Sequence, residues 1–108
     1  MKTLKYISQF GKECEVSFKV RKNIPDMKSY LYRFQVLISN NVFGFDFTIS
    51  CLKIEKYKLS ENEIIDLCFE MIREILDNQI EEYCSINIGK NDIIEYLIRQ
   101  DSLGRIEN

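Results

Sequence analysis

The sequence predicts an α+β fold: a four-stranded antiparallel sheet, made of two hairpins, with a long helix and a short C-terminal helix on one face. Three observations predict it. Residues 30–51 alternate apolar and polar side chains on both sides of a short asparagine turn, residues 60–83 change to helical spacing behind a capping signal, and no repeat or long linker divides the chain. The expected order is β-β-β-β-α-α, with strands over about 3–54, helices over about 61–83 and 91–100, and a frayed tail over 102–108. The length of 108 residues fits a single domain.

The first hairpin rests on Cys14, Val16, Phe18 and Val20 alternating with Glu15, Ser17, Lys19 and Arg21. Gly11-Lys12 offers a glycine-first turn back to a strand around Thr3–Phe10, which sets Ile7 opposite Val16. Tyr6 and Leu4 then fall on the other face, so either the turn is longer than two residues or that face is partly covered. Residues 22–29, with the sole proline at 25, are expected to connect the two hairpins.

The second hairpin is the clearest signal. Tyr30, Tyr32, Phe34, Val36 and Ile38 share one face of a strand, and Phe43, Phe45, Phe47, Ile49 and Cys51 share one face of the next. A turn at Asn40-Asn41 pairs Ile38 with Phe43, Val36 with Phe45, Phe34 with Phe47 and Tyr32 with Ile49. One face is then almost wholly aromatic and aliphatic, and a one-residue slip would destroy the match. Such an aromatic face could be a stacking platform for single-stranded nucleic acid. Here it is the only continuous apolar face available to receive the helices, so core is the better reading. Leu31, Leu37, Val42 and Leu52 lie on the opposite side.

Ser60-Glu61-Asn62-Glu63 is a capping box ahead of an apolar run. Ile64, Ile65, Cys68, Met71, Ile72, Ile75, Leu76, Ile80 and Tyr83 carry helical spacing to about residue 83, and Leu67 and Phe69 widen the apolar arc. A second helix follows near 91–100, with Asn91 as its cap and Gly89 helping the turn before it.

Composition excludes several classes. With 45% hydrophobic and 30% charged residues the chain is ordinary and globular. No apolar run approaches the roughly 20 residues that cross a bilayer. The opening Met1-Lys2-Thr3-Leu4-Lys5-Tyr6 lacks a signal-peptide core, so the expected location is the cytoplasm, or the host cytoplasm if the chain is phage-encoded. Cys14, Cys51, Cys68 and Cys84 are widely spaced, and there is no histidine. Structural thiols are therefore expected, with no metal and no cofactor. A cysteine nucleophile normally borrows a basic partner, most often histidine. No phosphate-binding or nucleophile-elbow glycine motif occurs, and the expectation is a protein without catalytic activity.

The net charge of −2 conceals an asymmetry. Residues 1–58 hold 11 Lys/Arg and 5 Asp/Glu, a balance of +6, whereas residues 59–108 hold 4 and 12, a balance of −8. Arg33, with Lys19 and Arg21 as expected neighbours, and Lys53, Lys56 and Lys58 leave a modest phosphate contact open. A sequence pI near 5.2 argues against a dedicated nucleic-acid binder. Within the acidic half, Glu63, Asp66, Glu70, Asp77 and Glu81 fall at steps of three, four, seven and four, with Glu74 beside Arg73 in the gap. The bland reading is a solvated helix face softened by Glu70–Arg73 and Arg73–Asp77 pairs. The functional reading is an acidic docking surface for a basic protein partner such as a nuclease or nucleoprotein, where a negative stripe would also speed encounter.

In size, charge and lack of catalytic motifs across the whole chain, the sequence resembles small acidic phage-encoded inhibitors of host defence, including anti-CRISPR proteins. The resemblance is one of general type and carries no functional residue over. It implies a stoichiometric inhibitor whose acidic helix partly imitates a phosphate backbone. A toxin-immunity protein has nearly the same profile. A structural module, dimerising through sheet edges or through the outer face bearing Leu31, Leu37, Val42 and Leu52, is the alternative from another class.

Overall fold

A computed structural model describes residues 3–78 and 81–106. The fold is α+β, and its sheet holds five strands among the described residues. Strands β1 (Thr3–Ile7), β2 (Glu13–Ile24), β3 (Ser29–Ile38) and β4 (Asn41–Ser50) form an antiparallel meander. Helices α1 (Cys51–Lys56) and α2 (Glu61–Asp77) follow, then β5 (Cys84–Asn87) and α3 (Lys90–Arg99). The expected four-strand, two-helix order is thus extended by α1 and by β5, which joins β4 in parallel and makes the sheet mixed.

The β1–β2 turn explains the misfit of its simple two-residue reading. Ser8 N–H donates to Lys12 O at 2.8 Å and closes a loop over Gln9, Phe10 and Gly11, in which Gly11 takes φ +80°. Three-residue loops need a left-handed residue there, and glycine adopts it without a Cβ clash. The Ser8 hydroxyl accepts from the amides of Phe10 and Lys12. Lengthening the turn pairs Tyr6 with Cys14 and Leu4 with Val16. The two residues that a Gly11-Lys12 turn would leave outside therefore point inward, and Ile7 is 64% exposed.

Residues 22–29 are not a linker. Strand β2 runs to Ile24, a single 3-10 turn at Pro25–Met27 reverses the chain, and Lys28 exits at φ +48°. Midway, a bulge at Lys19 shifts the register between Phe18↔Phe34 and Val20↔Arg33. Val20, rather than Lys19 or Arg21, therefore stands opposite Arg33. Arg21 turns to the helix side, above the Tyr30 ring and 3.4 Å from Glu61.

The β3–β4 hairpin has the expected faces in a different register. Its turn centres on Ser39-Asn40, with Ser39 at φ +56°, and pairs Val36 with Phe43, Phe34 with Phe45 and Tyr32 with Phe47. A two-residue change of pairing keeps every side chain on its face, so the hydrophobic pattern alone cannot tell the two registers apart. The outer face can. In the observed register Arg33 sits opposite Asp46, an opposite-charge cross-strand pair.

The core lies between the sheet and the helices. Tyr32, Phe34, Phe45, Phe47 and Ile49 meet Ile64, Leu67, Cys68, Ile72 and Leu76 of α2 and Ile93 and Leu97 of α3. Phe34 is fully buried and stands edge-on to both Phe47 and Phe69, at 5.7 and 5.3 Å. The aromatic face is core. Each such side chain is worth roughly 1.5–3 kcal/mol in burial, upper values that ring contacts extend.

Helix α1 begins where a strand was expected to run on to residue 54. Ser50 caps it, its hydroxyl accepting the Lys53 amide at 3.2 Å, and Tyr57 and Leu59 anchor the link to α2 in the core. The Ser60 capping box forms in both directions, at 3.2 and 3.0 Å. Helix α2 ends at Asp77 with Asn78 as its cap, six residues short of the expected end, and Ile80 lies outside the described residues. Helix α3 starts one residue early: Gly89 is its N-cap, its amide held by Asp92 at 2.8 Å, and Asn91 sits inside the helix. In the expected frayed tail, residues 103–105 form a 3-10 turn and Arg105 pairs with Glu63 at 2.8 Å, while 107 and 108 lie outside the described residues.

Candidate functional site: the acidic face of the second helix

Five of the six carboxylates predicted to form a docking stripe are met by partners from other parts of the chain. Glu63 closes the α2 capping box and pairs with Arg105. Burial pushes its acidity down, but the Ser60 amide and Arg105 outweigh burial and hold its carboxyl below the usual range. Asp66 accepts the Tyr96 hydroxyl at 3.0 Å. Burial first, and that carboxylate second, push the Tyr96 phenol far above its ordinary value. Glu70 pairs with Arg99 of α3 at 2.7 Å. Asp77 accepts the Gln9 amide at 3.0 Å, and its own carbonyl accepts the Gln9 side chain. Glu81 lies beyond the end of α2 and pairs with Lys12. Only Glu74 carries no side-chain partner among the described residues.

The stripe is thus less negative than its spacing suggests. Three of its charges are matched by Lys12, Arg99 and Arg105, which sequence distance hides and folding delivers. The expected pairs of Arg73 with Glu70 and Asp77 do not form; its guanidinium lies 5.4 Å from the centre of the Tyr6 ring, whose hydroxyl donates to the Arg73 carbonyl.

The unmatched charge is displaced toward α3. Between α2 and α3 runs an open groove of about 380 Å³. Leu67, Met71 and Ile75 of α2 and Ile86 of β5 give it an apolar floor, and Glu70, Glu74, Asp92 and Glu95 give it an acidic rim in which Arg99 is the one base. Leu67, Glu70, Met71, Glu74, Ile75 and Asn78 follow i, i+3, i+4, i+7, i+8 and i+11, one face of a helix. Asp92, Glu95 and Arg99 repeat that logic on α3. Asp92 and Glu95 are acids that the linear stripe did not include; their three-residue step on the short helix was the available signal.

A second polar cluster occupies the outer face of the sheet. Arg33 donates twice to Asp46, at 2.9 and 3.1 Å, and the Tyr83 hydroxyl donates to the same carboxylate at 2.9 Å. Asp46 is only 4% exposed although it sits on a solvent face. Its hydrogen bonds from Arg33, chiefly, hold its carboxyl below the usual range. The Tyr83 ring crosses Gly44, where a Cβ would lie 3.3 Å from Cδ2. Tyr83 was expected on the apolar face of a helix; instead it pins the entry to β5. Lys22 acts weakly on Asp46. Of the four apolar residues expected on the outer face, Leu37 and Val42 pair directly and are 39% and 57% exposed, Leu31 pairs with Thr48, and Leu52 stands on α1 instead of the sheet.

All four cysteines are free, with Cys14 and Cys68 buried, and burial raises both thiols. Among the described residues no three His, Cys, Asp or Glu side chains are grouped to hold a metal ion. No described helix is long and apolar enough to cross a membrane. Comparison with protein-family models, with curated proteins and with solved structures finds no match to this chain.

Proposed function

We propose that this chain is a non-catalytic protein-binding inhibitor that docks the acidic face of α2 on a basic partner, such as a host-defence nuclease, in the manner of phage-encoded anti-CRISPR proteins. The observation that carries the reading is the unmatched carboxylate pair Glu74 and Glu95, facing one groove beside Glu70 and Asp92. Glu63, Glu70 and Glu81 hold internal cations, so they shape the face more than they offer charge to a partner. A net negative surface over an apolar floor gives steering and contact area together. The lack of histidine and the burial of Cys14 and Cys68 also suit a binding role.

The test is capture of partners by the tagged protein from host lysate, at low and high salt. One basic nuclease or nucleoprotein recovered stoichiometrically and lost with salt is the expected result, and Glu74→Lys with Glu95→Lys should weaken its capture at least tenfold. A toxin-immunity role would show as a toxin in the same position. Recovery of the chain alone favours the self-assembling reading, which Leu37 and Val42 on the open sheet face support. A mass independent of concentration in sedimentation would remove that alternative.

A further inference from the structure

We infer that the groove between α2 and α3 receives an amphipathic helix of about three turns, apolar along one line and basic along its flanks; this rests on the acidic-face reading above. The lining of α2 from Leu67 to Asn78 covers eleven steps, roughly 16 Å of helix axis at 1.5 Å per residue. An occupant helix of equal length would present apolar side chains at i, i+3 or i+4, and i+7, the anchors by which helices seat in grooves. Met71, Ile75 and Ile86 are half-buried and packed against the core from below, so their upper surfaces are what the groove offers.

Charge complementarity fixes the flanks. Four carboxylates line the groove against one guanidinium, and that guanidinium is already bound to Glu70. Lysines or arginines flanking an apolar line would meet Glu74 on one wall and Glu95 on the other. A nucleic acid would be repelled. A lysine-rich segment without the apolar line would leave the floor in water. A volume of about 380 Å³ lies at the low end for small-molecule sites, and among the described residues no buried unpaired polar group lines it to orient one.

The experiment uses the full chain and two synthetic 15-residue peptides of identical Leu and Lys content, one patterned as an amphipathic helix and one scrambled. Affinity is read by fluorescence anisotropy, and location by methyl chemical shifts of Met71, Ile75 and Ile86. The expected result is binding of the patterned peptide at least tenfold tighter than the scrambled one, shifts at those three methyls, and a tenfold or greater loss in Glu74→Lys/Glu95→Lys. Neither residue holds an ion pair among the described residues, so the variant should keep the fold, with wild-type amide shifts away from the two substituted sites. Equal binding of both peptides without methyl shifts would overturn the groove inference and leave the acidic-face reading standing. Binding of neither at low salt would overturn both.

Discussion

Asp46 is the residue on which the outer sheet face turns. Three hydrogen bonds converge on a carboxylate that is almost out of water, so removing its charge leaves Arg33 and Tyr83 without an acceptor of equal strength. Asp46→Asn should cost about 1–3 kcal/mol at pH 7 in urea denaturation, and Tyr83→Phe about 1 kcal/mol. The pH dependence has a definite sign. Because the folded carboxyl titrates below an unfolded aspartate, near 3.9, its contribution is fully present above that value and disappears as pH falls through the folded pKa. The gap between wild type and Asp46→Asn should therefore be constant above about pH 5 and close below about pH 4. A gap unchanged at pH 3 would mean the loss comes from packing rather than charge. Arg33 and Asp46 are both legible in the sequence as outer-face residues, but the hydrophobic alternation alone does not set them opposite each other, and the register depends on that pairing. Tyr83 was illegible for another reason: an aromatic at helical spacing behind α2 looks like core, and only the end of that helix at Asp77 frees it to cross Gly44.

Among the elements, the ones with a local signal were readable. The capping box of α2 involves four consecutive residues and forms as spaced. Ser60→Ala should cost about 1 kcal/mol, because the Glu63 amide loses its acceptor at the N-terminus; thermal or urea denaturation measures it, and Ser60→Asp should recover most of the loss. A stability unchanged in Ser60→Ala would mean that α2 is held by its buried face alone. Strand β5 was missed because four residues, Cys-Ser-Ile-Asn, are too short for periodicity to separate from a loop. Its pairing is also parallel, with the whole of α1 and α2 between it and β4, so no hairpin turn marks it. The acidic stripe shows the complementary failure. Helical spacing placed Glu63, Asp66, Glu70, Asp77 and Glu81 on one stripe with Glu74 beside it, but the cations that neutralise part of it come from the β1–β2 loop, from α3 and from the C-terminal turn. Spacing along one helix carries no information about those contacts.

Over the whole molecule, the +6 and −8 halves of the sequence do not remain two charged blocks. Lys12–Glu81 and Arg21–Glu61 cross between them, so part of the asymmetry is spent inside the fold. Of the acids without an ion pair among the described residues, Glu74, Asp92 and Glu95 line the α2–α3 groove, and the floor of that groove ends on Ile86 of the edge strand β5. Stability is not uniform across such an arrangement. Strands β2, β3 and β4 are flanked by partners and hold the fully buried aromatics, whereas β5 is short, pairs with β4 alone, and is fixed by the Ile88 amide on Thr48 and by Tyr83 on Asp46. Native-state hydrogen exchange should therefore find the amides of Ile86 and Ile88 opening at least tenfold more often than those of Phe34 and Phe47. Tyr83→Phe should widen that difference while changing global stability by only about 1 kcal/mol. If the β5 amides exchange only by global unfolding, the strand belongs to the central cooperative unit and the floor of the groove is as rigid as the core. If they open separately, Tyr83 on the far side of the sheet is part of what holds the floor, and affinity for a helix seated between α2 and α3 should fall in Tyr83→Phe although that side chain lies on the opposite face.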